Sequence, residues 1–360
     1  MLRADLSLFP DYKPGKSDET KLKLSANEAN FGPLPTALEA IRESALRANR
    51  YPISGSPVLR KALADRLGLS EEQVAVAPGA SAVIQQAVLM TCAAGDEVLF
   101  PWRSFEAYPL YARVGGATPV QVPLGEDEAI DLDAVADAIT DRTRLIIICN
   151  PNNPTGLTIT KDEFTEFMRR VPEDIVVVLD EAYYEFNDAK DTPDGVEEIA
   201  KYPNLIGART FSKAYGLAGL RVGYGFGNPE LIRSLGLVAL PLTVTELSEL
   251  AAVASLEAHD ELMVRVKETQ AQRDRVSEEL GVQRSHGNFV WIPGVNGAEI
   301  EQKISAEGII IRSYPDSGAR VSITDEAETD QFLTAWRRAG LPVSTQDSLL
   351  FARSCRKIAL

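Results

Sequence analysis

The sequence predicts an α/β protein, a mainly parallel sheet covered by helices, with a smaller α+β domain beside it. Three observations lead there. Through the middle of the chain, short β-branched runs alternate with longer helical patterns, as βα units do. Four of those runs end in polar or Gly/Pro-rich turns, placed where an open parallel sheet binds ligands. Beyond about Ser248 the pattern becomes one long amphipathic stretch followed by short strands. The chain has 360 residues, 45% hydrophobic and 25% charged, proportions that fit a globular protein and leave room for more than one core.

Taken in order, the first strand is expected at Gln73 to Ala77, before Pro78-Gly79-Ala80-Ser81 and a helical run from Ala82 to Thr91. The second spans Glu97 to Phe100, before Pro101-Trp102-Arg103-Ser104. Leu145 to Cys149 runs into Asn150-Pro151-Asn152-Asn153-Pro154-Thr155-Gly156, and Ile175 to Leu179 runs into Asp180-Glu181-Ala182-Tyr183. All four turns are therefore expected on one edge of the sheet. The amphipathic stretch reaches Leu280, and strands are expected at Asn288 to Ile292, Gly308 to Arg312 and Ala319 to Thr324. The resulting division is an N-terminal arm and part of the small domain over 1–38, a large domain over 39–247 and the rest of the small domain over 248–360. After the helix breaker Pro342, the last stretch reads as one more helix or a tail, with no function assigned.

Charge and composition exclude several function classes. Lys plus Arg is 37 and Asp plus Glu is 52, a net charge of −15, which repels phosphate backbones, so no nucleic-acid partner is expected. Cys92, Cys149 and Cys355 are too scattered for a disulfide framework or a zinc site, and His259 and His286 have no neighbouring ligands, so no metal is expected. Asp5 and Asp11 interrupt any apolar run at the N-terminus, and no segment is long and apolar enough to span a bilayer. A reducing cytoplasm and chemistry built on Lys, Asp, Arg and Tyr are the expectation.

Each motif has a chemical and a plain structural reading. Ala80 and Ser81 could present backbone N–H groups to a phosphate at a helix N-terminus, or Ser81 could simply be the N-cap. The asparagines and prolines from Asn150 to Gly156 make a turn that could also hold an amide rigidly against a cofactor. Asp180 could face a cationic ring nitrogen, with the Tyr183 phenol nearby, or could cap a helix or pair with Arg. Lys213, set among small and apolar residues, would be partly desolvated, which lowers its pKa and suits Schiff-base chemistry, although a lone Lys is usually a surface charge. Arg221, in a glycine-rich apolar run, needs an anion partner if buried.

Together and in this order, these segments resemble pyridoxal-phosphate aminotransferases of fold type I, in the branch holding histidinol-phosphate and aromatic amino acid aminotransferases. The resemblance runs from Ala26-Asn27-Glu28 to Arg320-Val321-Ser322-Ile323-Thr324. It implies pyridoxal 5′-phosphate as cofactor, Lys213 as the lysine that carries it, Asp180 as partner of the ring nitrogen, and Asn153 and Tyr183 as donors to the ring hydroxyl. Thr210, Ser212, Arg221 and the N–H groups of Ala80 and Ser81 would hold the phosphate, and Phe105 would stack on the ring. Tyr51 would reach the phosphate from the other subunit of a homodimer. Arg320 would clamp the substrate carboxylate, with Tyr12, Asn27 and Arg312 near the substrate. The reaction implied is amino transfer between an amino acid and a 2-oxo acid, 2-oxoglutarate leaving as glutamate.

One departure bears on the substrate. Many histidinol-phosphate enzymes carry an acidic pair after the glycine of the phosphate turn, where this chain has Ser81 and Ala82. With Trp102-Arg103-Ser104-Phe105-Glu106-Ala107-Tyr108-Pro109, this is more similar to the actinobacterial aromatic amino acid aminotransferases, including those acting on phenylalanine. Histidinol phosphate remains the alternative, because Arg312 and Tyr12 could hold its phosphate. A decarboxylase of amino acid phosphates would need no 2-oxoglutarate. A cofactor-binding regulator would need a basic DNA-binding segment, which is not seen before Asp5.

Overall fold

The computed structural model describes residues 6–9, 18–294, 297–314 and 317–341, so Tyr12 and the stretch after Pro342 lie outside the described residues. Its strands are β1 (Leu22–Leu24), β2 (Val74–Ala77), β3 (Glu97–Trp102), β4 (Thr118–Pro123), β5 (Thr143–Cys149), β6 (Val176–Asp180), β7 (Leu205–Thr210), β8 (Gly223–Gly227), β9 (Phe289–Pro293), β10 (Ile309–Tyr314) and β11 (Gly318–Ser322). The larger sheet has seven strands in the order β2-β8-β7-β6-β5-β3-β4. Only β8 is antiparallel to its neighbours, so β2 runs with the rest and the strand ends expected to share an edge do so.

The middle strands are buried on both faces, which is why they read as unbroken apolar runs rather than as alternation. Ile146, Ile148, Val177 and Leu179 belong to the core on one side of the sheet, and Leu145, Ile147, Val176 and Val178 to the core on the other. The fold type I expectation holds. Strand limits differ from the sequence expectation by a residue or two, and β3 continues through Pro101 to Trp102.

Two departures have local causes. The helix expected from Ala82 begins at Ala80, because Gly79 takes φ +85° and itself ends the turn, so Ser81 is a first-turn residue and not the N-cap. The amphipathic stretch after Ser248 is two helices, Glu246–Glu257 and His259–Leu280, broken at Ala258. Strand β8, Gly-Tyr-Gly-Phe-Gly, has glycine where a side chain would collide: a Cβ on Gly225 would lie 2.7 Å from Val83 Cγ1.

The smaller sheet has four strands in the order β1-β10-β11-β9, so the N-terminal β1 joins strands from the far end of the chain, parallel to β10. Val276 and Leu280 of the long helix and Phe332 and Trp336 of the helix Glu326–Arg338 share its core.

A charged cluster ties the loop after β6 to the long helix and to the segment leading into β9. Asp188 Oδ2 accepts from Arg273 Nη2 at 2.8 Å, and Asp188 Oδ1 accepts from Arg284 Nη1 at 2.9 Å and lies 2.7 Å from His286 Nδ1. Asp274 Oδ1 accepts from the Nε of both Arg273 and Arg284. Partial burial pushes the Asp188 carboxyl up, but the bonds from Arg284, Arg273 and His286 outweigh it and hold the group well below the usual carboxylate range.

Asp188→Asn leaves the fully buried Arg273 with Asp274 as its remaining carboxylate partner. The expected loss is about 2 kcal/mol of stability, read from the urea midpoint. A carboxyl held low in the fold contributes stability above its unfolded pKa of about 3.9 and loses it as pH falls further. The gap between wild type and variant should therefore narrow below about pH 4. A gap that widens in acid contradicts this account of the cluster.

Candidate active site

At the carboxyl edge of the large sheet lies a cleft of about 360 Å³, walled on its other side by the small sheet and by Ser25, Ala26 and Glu28. The sheet edge supplies Asp180 from the last position of β6, Thr210 from the end of β7, and Ser212 and Lys213 from the turn that follows. The helix start at Ala80 and Ser81, the turn after β3 with Phe105 and the turn after β5 with Asn153 complete this side. Arg312 of β10 and Arg320 of β11 close the other.

Asp180 and Glu181 are separated by the strand end. Glu181 turns away from the cleft and accepts from Arg209 Nε at 2.9 Å, taking the arginine pairing that either carboxylate could have had. Asp180 faces the cleft, where its Oδ2 accepts from Tyr108 OH at 2.6 Å and its Oδ1 from the backbone N–H of Ala182 at 3.1 Å. Burial pushes its carboxyl up to about 6, against the lowering effect of the Tyr108 bond. Tyr108, fully buried, is a site residue that sequence reasoning missed. Its place three residues after Phe105 in the same segment was the available signal.

Lys213 Nζ donates to Ala26 O at 3.0 Å. Its removal from bulk water, then the nearby Arg320 and Arg221 charges, bring the amine down to about 7 despite Glu28 and Asp180. A substantial neutral fraction near pH 7 is what a nucleophilic amine needs.

One end of the cleft is an anion cradle. Gly79 brings the first turn of the helix Ala80–Thr91 to the wall, and the early N–H groups of a helix have no partner within it. Gly223 permits this approach, since a Cβ there would lie 2.6 Å from Ala80 N and 2.7 Å from Gly79 C. Beside it Thr210 Oγ1 donates to Ser212 Oγ at 3.0 Å, and Arg221 Nη1 donates to Ser212 Oγ at 3.2 Å and to Ala218 O at 2.8 Å. Arg221 takes φ 50°, in the left-handed region, and stands exposed at the cleft mouth rather than buried in an apolar run. A helix N-terminus, two hydroxyls and a guanidinium suit a phosphate, and with Lys213 and Asp180 beside them the donor set fits a phosphorylated aldehyde bearing a ring nitrogen.

Of the asparagines in the turn after β5, two are engaged in building it. Asn150 Oδ1 accepts from Ile159 N at 3.1 Å, and Asn152 Oδ1 accepts from Ser104 Oγ at 2.8 Å. Asn153 lines the cleft and accepts from Arg320 Nη1 at 2.5 Å. Arg320 Nη2 donates to Ser25 O at 2.7 Å, while its buried Nε has no hydrogen-bond partner among the described residues. Tyr183 OH accepts from Asn27 Nδ2 at 2.9 Å, and Ser322 Oγ donates to Asn27 Oδ1 at 3.0 Å, so Asn27 stands behind Tyr183 rather than on the cleft wall. Arg312 lies on the wall but is paired, its Nε and Nη2 donating to Glu106 Oε2 at 3.1 and 2.7 Å. Tyr51 is 88% exposed and does not line this chain's own cleft.

The family model for aminotransferase class I and II matches residues 19–335. The chain belongs to this family. Its relatives include the aromatic amino acid aminotransferase of Corynebacterium efficiens, 56% identical over 93% of this chain and 98% of that one. That of Corynebacterium diphtheriae is 51% identical over 93% and 98%. Among solved structures, the histidinol-phosphate aminotransferase of Sinorhizobium meliloti in complex with pyridoxal-5′-phosphate superimposes with a TM-score of 0.83 at 29% identity, covering 89% of this chain and 90% of that one. Membership makes this chain a pyridoxal-phosphate-dependent aminotransferase, and the donor set of the cleft suits that cofactor.

Gly223→Ala tests the cradle. The added methyl has backbone on three sides and must push the helix start outward. Cofactor affinity of the apoenzyme, read by absorbance titration, is expected to fall at least tenfold, which is about 1.4 kcal/mol. Unchanged affinity would remove the helix N-terminus from the phosphate site.

Proposed function

We propose that this aminotransferase moves the amino group of an aromatic L-amino acid such as phenylalanine to 2-oxoglutarate, giving the aromatic oxo acid and glutamate. The observation that carries the chemistry is Lys213 near neutrality in the same cleft as a buried Asp180, between an anion cradle and Arg320. The aromatic substrate rests on relatives of that name that match this chain almost end to end.

When bound, pyridoxal phosphate supplies an aldehyde for the amino group and a protonated ring that draws electrons from the substrate Cα. Thr210, Ser212, Arg221 and the N–H groups of Ala80 and Ser81 would hold its phosphate, and Phe105 would face the ring. Asp180 would hold the proton on the ring nitrogen: a cation facing the carboxylate favours its charged form over the neutral form that burial favours. Tyr108 orients that carboxylate. Tyr183 and Asn153 would donate to the ring hydroxyl, Tyr183 with its own oxygen already accepting from Asn27 and Asn153 with its carbonyl fixed by Arg320. With the cofactor bound, the Lys213 amine would take the proton from the substrate Cα and deliver it to the former aldehyde carbon, on the far side of the intervening nitrogen. Arg320 binds the substrate carboxylate, for which its Nε is the donor still unused. Asn27 positions Tyr183, and Arg312 lies toward the substrate side chain.

The working unit we propose is a homodimer in the cytoplasm, with Tyr51 completing the partner's phosphate site. Exposed Leu46, Tyr51, Ile53 and Leu240 give an apolar surface for a second copy. Among the described residues no helix is long and apolar enough to cross a membrane. The division into 1–38, 39–247 and 248–360 remains our working architecture.

Single-turnover mixing of the loaded enzyme with L-phenylalanine or L-histidinol phosphate, followed through the cofactor's visible absorbance, is expected to show conversion by phenylalanine at least tenfold faster. Faster conversion by histidinol phosphate would replace the aromatic reading. Sedimentation is expected to give a dimer, and Tyr51→Phe to weaken cofactor retention several-fold. An active monomer would rule out a shared site.

A further inference from the structure

The cleft holds a carboxylate that the reaction as derived does not use. Glu106 follows Phe105 in the turn after β3, on the large-sheet side, and reaches across to Arg312 on β10. Both side chains line the cleft, 31% and 16% exposed respectively. Arg312 is opposite Arg320 in the β10–β11 register, so the two guanidinium groups leave the same face of the small sheet. Directly opposed like charges repel, and Glu106 offsets that repulsion by taking two hydrogen bonds from Arg312 on a single oxygen, at 3.1 and 2.7 Å.

We infer that Glu106 is a specificity-determining residue: by pairing with Arg312 it turns a potential subsite for a second anionic group into a neutral one. The inference rests on the aromatic aminotransferase reading and deepens it. A substrate whose carboxylate meets Arg320 directs its side chain along the face that carries Arg312. A neutral aromatic side chain there meets an ion pair whose fields largely cancel. A second carboxylate or a phosphate must displace Glu106, leaving a partly buried carboxylate unpaired beside an added anion, an arrangement that selects against such ligands. The partial exposure of Glu106 provides a route to water, so a dicarboxylic oxo acid enters by opening the pair. The discrimination is thus graded and compatible with both halves of the reaction.

The test uses the cofactor-loaded enzyme and two non-reacting acids, 3-phenylpropionate and glutarate, with dissociation constants from calorimetric titration. Both offer Arg320 a carboxylate, and only glutarate carries a second anion. Wild type is expected to favour 3-phenylpropionate. Glu106→Gln should shift the affinity ratio toward glutarate at least tenfold, and adding Arg312→Gln should abolish that gain. Arg312→Gln alone, which leaves Glu106 as a bare anion, should shift the ratio away from glutarate and gives an independent reading should the Glu106 variant not fold. Ratios unmoved by either variant, or a gain that survives loss of Arg312, would overturn the inference. Wild type that binds glutarate and not 3-phenylpropionate would instead overturn the aromatic reading itself.

Discussion

Lys213 and Asp180 share one cleft with opposite formal charges, yet they do not pair. If they met, the amine would be held protonated and the carboxylate would be consumed as its counter-ion, and neither could act on a ligand. Separate hydrogen bonds keep them apart: Lys213 donates to the Ala26 carbonyl, and Asp180 takes the Tyr108 hydroxyl and the Ala182 amide. Burial then acts on each in the direction of neutrality, the amine falling to about 7 and the carboxyl rising to about 6. The rest of the structure serves to maintain that separation.

The large sheet supplies it through strand order. Asp180 ends β6 and the Lys213 turn follows its neighbour β7, so the two groups are fixed by adjacent strands whose pairing is set from Val177 with Leu205 to Asp180 with Ala208. Beyond β7, the reversed strand β8 carries glycines that let the sheet accept Val83 and the helix start at Ala80 at close range. The small sheet contributes the opposing wall, and β1 leads into Ser25, Ala26 and Glu28, of which Ala26 meets the amine. Contacts between segments far apart in sequence, Lys213 with Ala26 and Arg320 with Asn153, therefore define the chemistry.

Much of this was legible in the sequence, and the illegible parts share a physical cause. Strands β5 and β6 announce themselves because burial on both faces demands unbroken apolar residues. Lys213 stands out because small neighbours leave an amine poorly solvated. Strand β8 does not, since its glycines answer to Val83 and the Gly79–Ala80 backbone, partners no local window contains. The same holds for Ser81, which resembles a cap until the φ of Gly79 is known, and for Arg221, whose apolar surroundings in sequence do not bury it in space. Tyr108 and Glu106 escaped notice because a tyrosine and a glutamate at the start of a helical pattern have ordinary surface readings. Only the fold reveals that one is buried under Asp180 and the other is bound to Arg312.

The charge balance shows the same division between global and local. A chain of net charge −15 that must bind a phosphate and two carboxylic acids cannot rely on its long-range field, which repels all of them. It relies on cations held at short range, the exposed Arg221 at the cradle and the buried Arg320 beside Asn153, where surrounding protein reduces screening by solvent around the latter. Concentrating arginines in one cleft then creates the opposite hazard, a site attractive to any polyanion. The Arg312–Glu106 pair answers it without removing the charge: the guanidinium stays in place, and access to it depends on displacing a neighbour. Selectivity of this kind comes from a competing internal anion rather than from the shape of the cavity, so it can differ between relatives that share every residue contacting the cofactor.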